Sequence, residues 1–275
     1  MRLDSHQHFW RYSAAEYPWM GDGMESLRRD HLPPDLQPLL EAAGFDGCIA
    51  VQARQSLAET EWLLGLAHHY PFIRGVVGWV DLRSPAVGEQ LRRFAADPKL
   101  VGVRHVVQDE PDDAFLLGRD FQRGIAQLRE HRLAYDILIY PRQLPAAIRF
   151  AEAFPDQRFV LDHLAKPVVR DGRMSPWRED LRQLGTSPNV FCKLSGLVTE
   201  AVWGRWKASD FTPYLDVAFE VFGPDRLMIG SDWPVCTVSA DYGTVLRLVV
   251  DYLERFPAGI REKVMGGNGA RFYGI

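Results

Sequence analysis

The sequence is poor in cysteine. Its 275 residues include three, Cys48, Cys192 and Cys236, and no two of them form a Cys-x-x-Cys pair. This spacing excludes a disulfide framework and a thiolate zinc site, and it favours a reducing compartment. The sequence also lacks a run of about 18 apolar residues, and polar Asp4 and His6 stand where a signal peptide would need its apolar region. We therefore expect a soluble cytoplasmic protein without membrane contact.

Blocks of basic residues are absent as well. Lys and Arg total 32 against 36 Asp and Glu, the formal net charge is −4, and the cations are scattered along the chain. A nucleic-acid binder carries a basic patch, so nucleic acid is not an expected partner. Apolar residues make up 47% of the chain, which is enough for a large core. We expect one domain over residues 1–275, a common length for α/β barrels; the oligomeric state is left open.

Strand-like and helix-like segments alternate along the whole chain. Runs rich in apolar and β-branched residues are followed by stretches with helical periodicity. The predicted strands cover residues 2–9, 45–54, 73–82, 100–107, 133–140, 158–165, 190–197 and 227–233. Eight such repeats predict a (β/α)8 TIM barrel of the α/β class, with its active site at the carboxyl ends of the strands. A doubly wound sheet is the alternative, but its Gly-x-Gly-x-x-Gly fingerprint is missing after the first strand.

The first predicted strand carries polar residues at alternate positions, which is unusual for a buried parallel strand. Because side chains alternate between faces, Asp4, His6 and His8 are predicted to point to one side and Leu3 to the other. Neutral imidazole is a common ligand of transition metals and also a general acid or base. A hydrogen-bonded pair of core histidines is the alternative. We favour a functional pair that converges on one cavity.

Further polar residues end the later strands. In a barrel these ends meet in one pocket. Asp232 follows the apolar run Leu227 to Ile229 and is therefore predicted to bring a carboxylate to the barrel mouth. Lys193 stands within an apolar strand, where a buried cation needs an anionic partner or a substrate.

Strand alternation leaves two pairs of neighbours undecided. On the fourth strand either Arg104 or His105 faces inward, and we favour Arg104. On the sixth strand either His163 or Asp162 faces inward, although His163 shares a strand face with apolar residues that precede it. Both pairs lie at strand ends, so either member would reach the predicted pocket.

Four motifs carry a resemblance to a known family. They are Asp-Ser-His-Gln-His-Phe-Trp at 4–10, Leu-Asp-His-Leu-Ala-Lys-Pro at 161–167, Cys-Lys-Leu-Ser-Gly-Leu-Val-Thr-Glu at 192–200 and Gly-Ser-Asp-Trp-Pro at 230–234. Together they resemble the amidohydrolase superfamily, and more narrowly its branch of sugar lactone hydrolases, which includes L-fuconolactonase and L-rhamnonolactonase. The resemblance spans nearly the whole chain.

The resemblance implies hydrolysis of a sugar-derived lactone to its aldonate. Asp232 is implied as the general base, and His6, His8 and His163 are implied to lie at the lactone carbonyl or at a metal. Many superfamily members hold two metals with the help of later histidines, whereas the fifth strand here has none. We therefore expect either one Zn²⁺, held by some of His6, His8, His163 and Asp232, or no metal at all.

The expected partner is a small-molecule sugar lactone. The candidates for holding its hydroxyls and the new carboxylate are Arg104, Lys193, Gln52, Tyr140 and Trp233. A lactonase for a pyrone dicarboxylate is the nearest alternative, since Arg54 and Arg104 could bind its acidic groups. A metal-dependent nonoxidative decarboxylase would use the same histidines and aspartate. An inactive sugar-acid-binding protein is the third alternative.

Overall fold

Eight parallel strands form the centre of the molecule. The computed structural model describes residues 1–275, and its strands pair in sequence order from β1 to β8. They are β1 (Leu3–Gln7), β2 (Gly47–Val51), β3 (Ile73–Gly78), β4 (Leu100–Val106), β5 (Ala134–Leu138), β6 (Phe159–Leu161), β7 (Val190–Leu194) and β8 (Leu227–Ile229). A parallel bridge between Gln7 and Trp233 brings β8 back to β1. The predicted (β/α)8 barrel is confirmed.

Helices surround the strands and cover them with one large apolar layer. They are α1 (Pro33–Ala42), α2 (Leu57–His69), α3 (Val87–Phe94), α4 (Arg119–Leu128), α5 (Leu144–Ala153), α6 (Trp177–Gly185), α7 (Thr212–Phe222), α8 (Tyr242–Leu253), α9 (Ala258–Glu262) and α10 (Asn268–Tyr273). None of these helices is long and apolar enough to cross a membrane. A second, smaller apolar cluster joins side chains from β1 to β6 and β8, and it therefore fills the barrel interior.

The sixth and eighth strands end earlier than predicted. Beyond β6 the four residues 163–166 have φ between 52° and 57°, and beyond β8 Asp232 has φ 58°. Residues with side chains rarely adopt this left-handed conformation, which ends a strand and can store backbone strain at a functional site. His163 and Asp232 are therefore loop residues just beyond their strands. Strand alternation, which left the choice between Asp162 and His163 open, therefore does not apply to this pair, because both residues follow β6.

A bulge in β1 changes the predicted alternation. Asp4 pairs with Cys48 and Gln7 with Ala50, so three steps along β1 match two along β2. Asp4 consequently turns outward, where its carboxylate accepts hydrogen bonds from Ser231 and from Tyr242 of α8. The prediction that Asp4 shares a face with His6 and His8 is wrong. The two histidines do point to the same side, as their mutual contact below shows.

Helix α10 packs against the amino-terminal end of the barrel. Its Asn268 donates hydrogen bonds to the carbonyl oxygens of Pro224 and Leu227. A Cβ atom at Gly269 would lie 2.6 Å from Ser5 Oγ, so only glycine allows this close approach to β1. The approach brings Tyr273 into the apolar cluster inside the barrel.

Candidate active site at the barrel mouth

A cavity of about 960 Å³ lies at the carboxyl ends of the strands. This volume is within the range of small-molecule sites. Of the predicted site residues, His8, His163, Asp232, Arg104 and Tyr140 line it. They come from five different strand ends, so the barrel geometry, and not proximity in sequence, brings them together.

The upper wall of the cavity mixes aromatic and charged side chains. The aromatic lining residues are Trp10, Trp19, Tyr140 and Trp203. The ionisable lining side chains other than histidine are Glu16, Asp109, Glu110, Glu200, Asp232, Arg54, Arg104, Lys166 and Arg170. Five carboxylates thus stand against four cations, so the lining as a whole is not arranged for a multiply charged anion. Flat aromatic faces and polar groups in alternation suit a hydroxylated ring.

One part of this wall has its own apolar core. The loop between β1 and α1 packs Trp10, Tyr17, Met20 and Leu27 together. Its ends are tied by paired backbone hydrogen bonds between Trp10 and His31, and Trp10 Nε1 donates to the carbonyl oxygens of Leu27 and Arg29. The segment between β1 and α1 is therefore a compact Ω-like unit, which we call the first-loop wall.

Three acceptor atoms meet at the base of the cavity. His6 Nε2 and His8 Nε2 are 3.2 Å apart, and Asp232 Oδ1 lies 3.4 Å from His8 Nε2 and 3.8 Å from His6 Nε2. His8 Nδ1 is 2.8 Å from the carbonyl oxygen of Val51, so it carries the proton and leaves Nε2 with a lone pair. The lone pair of His8 Nε2 and a carboxylate oxygen of Asp232 therefore face one another beside His6 Nε2, and these three atoms favour a cation between them.

The spacing of these atoms fits a metal ion. Ligands at 2.0–2.1 Å from a tetrahedral Zn²⁺ are about 3.3 Å apart, close to the three distances found here. The second-shell hydrogen bond from His8 to Val51 is the arrangement that fixes a metal-binding imidazole. His163 Nε2, 3.8 Å from Asp232 Oδ1, is a further candidate ligand. The residues present therefore fit one metal ion, whose ligands would be His6, His8 and Asp232 with His163 nearby.

Burial sets the protonation states that this site needs. It lowers the pKa of His8, and it lowers the pKa of His163 to about 4, so both imidazoles are neutral at pH 7. Burial works to raise the pKa of Asp232, but the three surrounding imidazoles outweigh it and hold that pKa below its usual value. An ionised carboxylate beside neutral imidazoles can accept a proton or bind a cation.

His163 is the imidazole that can act as a donor. Its Nδ1 lies 2.8 Å from Ser195 Oγ, and a hydroxyl can either donate or accept. With the hydroxyl donating, His163 carries its proton on Nε2, which faces Asp232 and the cavity. Gly196 has φ 63°, and a Cβ atom there would lie 2.5 Å from His163 Nδ1. A glycine is therefore required beside this ring.

Arg104 is the inward member of its pair. Its Nη1 donates to Asp162 Oδ2 at 3.0 Å and lies 3.2 Å from His6 Nε2. Gln52 fixes the guanidinium, because its backbone carbonyl oxygen accepts a hydrogen bond from Arg104 Nη2 at 2.5 Å. His105 points away, stacks on Phe115 and bonds to Glu110. Just beyond β6, Asp162 and His163 both belong to the site. Asp162 lies beside His6, and His163 lines the cavity.

Three predicted substrate-binding residues do not line the cavity. Gln52 and Lys193 are fully buried, and Trp233 packs against Phe9 and His31. The predicted anionic partner of Lys193 exists, since its Nζ lies 2.5 Å from Asp136 Oδ2 and 3.0 Å from Asp162 Oδ1. From these positions Gln52, Lys193 and Trp233 can support the residues that line the cavity. Their direct contact with a substrate stays a prediction.

Several site residues escaped sequence reasoning. Lys166 lines the cavity with its Nζ 5.3 Å from the centre of the Tyr140 ring, and Glu200 lines it from the loop after the neighbouring strand β7. Both residues belong to the family motifs at 161–167 and 192–200, and that position is the feature of the sequence that could have identified them. Asp136 interrupts the otherwise apolar strand β5, which is the same kind of signal as Lys193 gave. Charged residues within apolar strands therefore identify the buried part of this site.

Glu59 supports the cavity wall and makes stability depend on pH. Its Oε2 accepts hydrogen bonds from the backbone of Ala53 and Arg54, and burial raises its pKa from 4.5 to about 7. The unfolded chain loses this proton near pH 4.5 and the folded chain near pH 7, so stability falls as pH rises between them. The expected loss is about 3 kcal/mol. Urea unfolding at pH 4.5 and 7.5 measures it.

The matched variants for Glu59 are glutamines on the same helix. Glu59→Gln imitates the protonated form and should remove that part of the pH dependence, whereas exposed Glu61→Gln should retain it. Equal pH dependence of the free energy of unfolding in all three proteins would contradict the assignment to Glu59.

Comparisons with known proteins agree with this architecture. The model of the amidohydrolase family matches residues 3–275. An L-fucono-1,5-lactonase of Burkholderia multivorans is 46% identical over 100% of this chain and 96% of its own, and one of Burkholderia ambifaria is 38% identical with the same coverage. A crystal structure of an amidohydrolase from Burkholderia multivorans with bound zinc has a TM-score of 0.96 and 47% identity, covering 100% of this chain and 99% of the other. The resemblance seen in the four motifs is confirmed, and the chain belongs to the amidohydrolase family.

Proposed function

We propose that this protein hydrolyses a sugar-derived lactone of the L-fuconolactone or L-rhamnonolactone type to the open-chain aldonate. The observation that carries the proposal is the ionised carboxylate of Asp232 beside neutral imidazoles at the base of a cavity lined by aromatic and mixed polar groups. Whole-length identity to two L-fucono-1,5-lactonases supports the same substrate class.

Asp232 performs the proton transfers in this proposal. Its carboxylate takes a proton from water as the water oxygen bonds to the lactone carbonyl carbon. When the tetrahedral adduct collapses, Asp232 returns that proton to the ring oxygen as the carbon–oxygen bond breaks. The product is a hydroxy acid, which loses its proton at neutral pH. One carboxylate thus serves both steps.

The negative charge on the former carbonyl oxygen needs donors that are already in place. Arg104 lines the cavity and is fixed by Gln52 and Asp162. His163 can donate from Nε2 while Ser195 holds its Nδ1. His8 Nε2 has no proton to give, because Nδ1 donates to Val51. Of the three histidines that were expected at the carbonyl or at a metal, we therefore assign the role of hydrogen-bond donor to His163, with Arg104 as the second donor.

A zinc ion fits the same base of the cavity. We propose that His6, His8 and Asp232 hold it, with His163 nearby; bound there, Zn²⁺ supplies Lewis-acid polarisation of the carbonyl. Lys166 and Tyr140, together on the wall, are placed to contact the sugar hydroxyls and the new carboxylate. No step above requires the metal.

The test of function is a panel of aldonolactones. Acid release is followed with a pH indicator, before and after treatment with a chelator, and 2-pyrone-4,6-dicarboxylate and hydroxybenzoates are included. Selective turnover of a six-carbon sugar lactone supports the proposal. Turnover of the dicarboxylate alone, or release of carbon dioxide without lactone hydrolysis, would replace it with the corresponding alternative.

Zinc binding gives an independent prediction. The chelated protein should take up one Zn²⁺ and gain thermal stability in proportion to the logarithm of free zinc. His8→Ala removes a ligand and should weaken binding at least ~10-fold, whereas exposed His68→Ala, on α2, should not. Metal analysis and the shift in Tm measure both. Equal uptake by the two variants would contradict the assigned ligands.

A further inference from the structure

A carboxylate on the loop after β4 is held in place from behind the cavity wall. Glu110 lines the cavity, and its side chain is 20% exposed. Its Oε1 lies 2.7 Å from Nε2 of His105, and the structure shows no protein donor at Oε2. Neither residue takes part in the proton transfers described above. A carboxylate with one oxygen engaged and the other free is an acceptor for a group that enters the cavity.

Trp79 determines the tautomer of His105. Its indole Nε1 lies 3.4 Å from His105 Nδ1, and an indole N–H can only donate a hydrogen bond. His105 Nδ1 therefore accepts, and the ring carries its proton on Nε2 and donates it to Glu110. Burial lowers the pKa of His105, which agrees with a single ring proton at pH 7. The three side chains thus form a directed chain of hydrogen bonds that ends at the cavity.

Aromatic packing fixes the orientation of the His105 ring. The residue is 4% exposed, and its ring stacks on Phe115 with the centroids 4.8 Å apart and the planes at 16°. The edge of Phe121 lies against it, with the centroids 5.7 Å apart. The imidazole is therefore held in one plane, and its Nε2 proton points at Glu110. A glutamate on a loop would otherwise lose rotamer freedom on binding a ligand, and here that cost is met beforehand.

We propose that Glu110 is a substrate-binding residue that accepts a hydrogen bond from a ring hydroxyl of the sugar lactone, and that His105 and Trp79 are positioning residues for its carboxylate. Hydrogen bonds to a carboxylate are stronger than those between neutral groups. The same negative charge disfavours a substrate with a carboxylate at this place. The proposal deepens the lactonase proposed above, and its kinetic part rests on that function. Its binding part does not.

Glu110→Gln tests the acceptor. The amide keeps an oxygen for His105 but presents an NH₂ donor in place of the free oxygen. The probes are sugar lactams of the L-fucono and L-rhamnono types, which keep the ring hydroxyls and resist hydrolysis, and calorimetry gives their Kd. For the better of the two lactams, Glu110→Gln should raise Kd about 10-fold or more. Asp97→Asn is the control, because Asp97 contacts the exposed imidazole of His68 at 2.7 Å outside the cavity, and it should leave Kd unchanged.

Lactams that each lack one ring hydroxyl identify the contact. Wild type and Glu110→Gln should bind one of them with Kd values within about twofold of each other, because a missing hydroxyl cannot gain from the carboxylate. The other lactams should retain the difference between the two proteins. An equal loss for every lactam would overturn the proposal, since Glu110 would then act only on the shape of the loop. A wild-type protein that binds none of the lactams would overturn it as well.

Trp79→Phe tests the positioning residues. It removes the N–H that selects the tautomer of His105 and keeps an aromatic ring. Kd for the lactam and KM for the lactone should both rise about 3-fold, with kcat within about twofold of wild type. Trp206→Phe is the control, since Trp206 Nε1 donates to Ser239 Oγ at 2.9 Å away from the cavity.

The two measurements separate this inference from the proposed function. A fall in kcat with unchanged Kd and KM in Trp79→Phe would overturn the positioning role, because the residue would then be structural. If wild type binds the lactams and hydrolyses no lactone, the proposed function fails and the Kd values still decide the role of Glu110.

Discussion

Replacing Asp232 with Asn is expected to lower kcat/KM for the lactone by about 10²- to 10⁴-fold, the typical contribution of general acid–base catalysis. The amide has the shape of the carboxylate but cannot take a proton from water or return it to the ring oxygen. His8 Nε2, 3.4 Å from Asp232 Oδ1, points its lone pair at the same place and is held there by Val51. Of the two carboxylates near His6, Asp162 and Asp232, it is Asp232 that lines the cavity.

The pH-indicator assay measures this loss, and circular dichroism with urea unfolding checks the fold. Asp216→Asn is the control, since Asp216 pairs with Arg255 on the outer helices. That variant should keep wild-type kcat/KM. Near-normal lactone hydrolysis by Asp232→Asn would remove the central role given to this residue.

Replacing Lys193 with Met is expected to lower the free energy of unfolding by about 3–5 kcal/mol, because it leaves buried carboxylates without their cation. The methionine has similar length and fits an apolar strand. Asp136 and Asp162 are fully buried, and Lys193 contacts both. This loss is large compared with the total stability of a typical domain.

The pH dependence distinguishes this cause from simple misfit. In the wild-type protein burial works to raise the pKa of Asp162, but Lys193, His6 and Arg104 hold that pKa well below its usual value. Burial already raises the pKa of Asp136. Without Lys193 the folded-state pKa of Asp136 rises further and that of Asp162 rises as well, so Lys193→Met should lose more stability than wild type as pH rises. Urea unfolding at pH 5 and pH 8 measures both effects.

The control for Lys193 is an exposed pair. Lys263 contacts Asp225 at 2.7 Å, with both side chains about half exposed, and exposed pairs contribute about 0–1 kcal/mol. Lys263→Met should therefore change the free energy of unfolding little at either pH. Similar losses in the two lysine variants would contradict a special part for the buried network.

The barrel and most of its mouth could be predicted from sequence because both depend on local patterns. Apolar runs and helical periodicity repeat eight times, and strand ends must meet at one face. His8, Asp232, Arg104 and Tyr140 follow from that rule, and they line the cavity. The four motifs added the family, which the comparisons confirm.

What could not be predicted depends on departures from regular geometry. A bulge in β1 turned Asp4 outward, and left-handed residues after β6 moved His163 off the strand. Neither departure has a signal in an alternation pattern, because that pattern assumes a regular strand. Lys193 was recognised as a buried cation, but its partner Asp136 lies 57 residues away. Only the closed barrel brings the two together.

Tyr273 illustrates the same limit at longer range. Its hydroxyl reaches Asp136, 137 residues earlier in the chain. An aromatic residue in a short final helix predicts packing, and the sequence offers no reason to connect it with the buried Asp136. The connection requires α10 to lie against the barrel end, which in turn requires glycine at position 269.

The first-loop wall has a consequence for how such enzymes diversify. Its apolar core of Trp10, Tyr17, Met20 and Leu27 and its tied ends hold it together as one segment, while Asp232, to which we assign the proton transfers, lies on the loop after β8. Replacing this segment with another of similar length would change which substrate the cavity accepts and would leave the residues at the base of the cavity unchanged. Recognition and reaction can therefore be inherited separately.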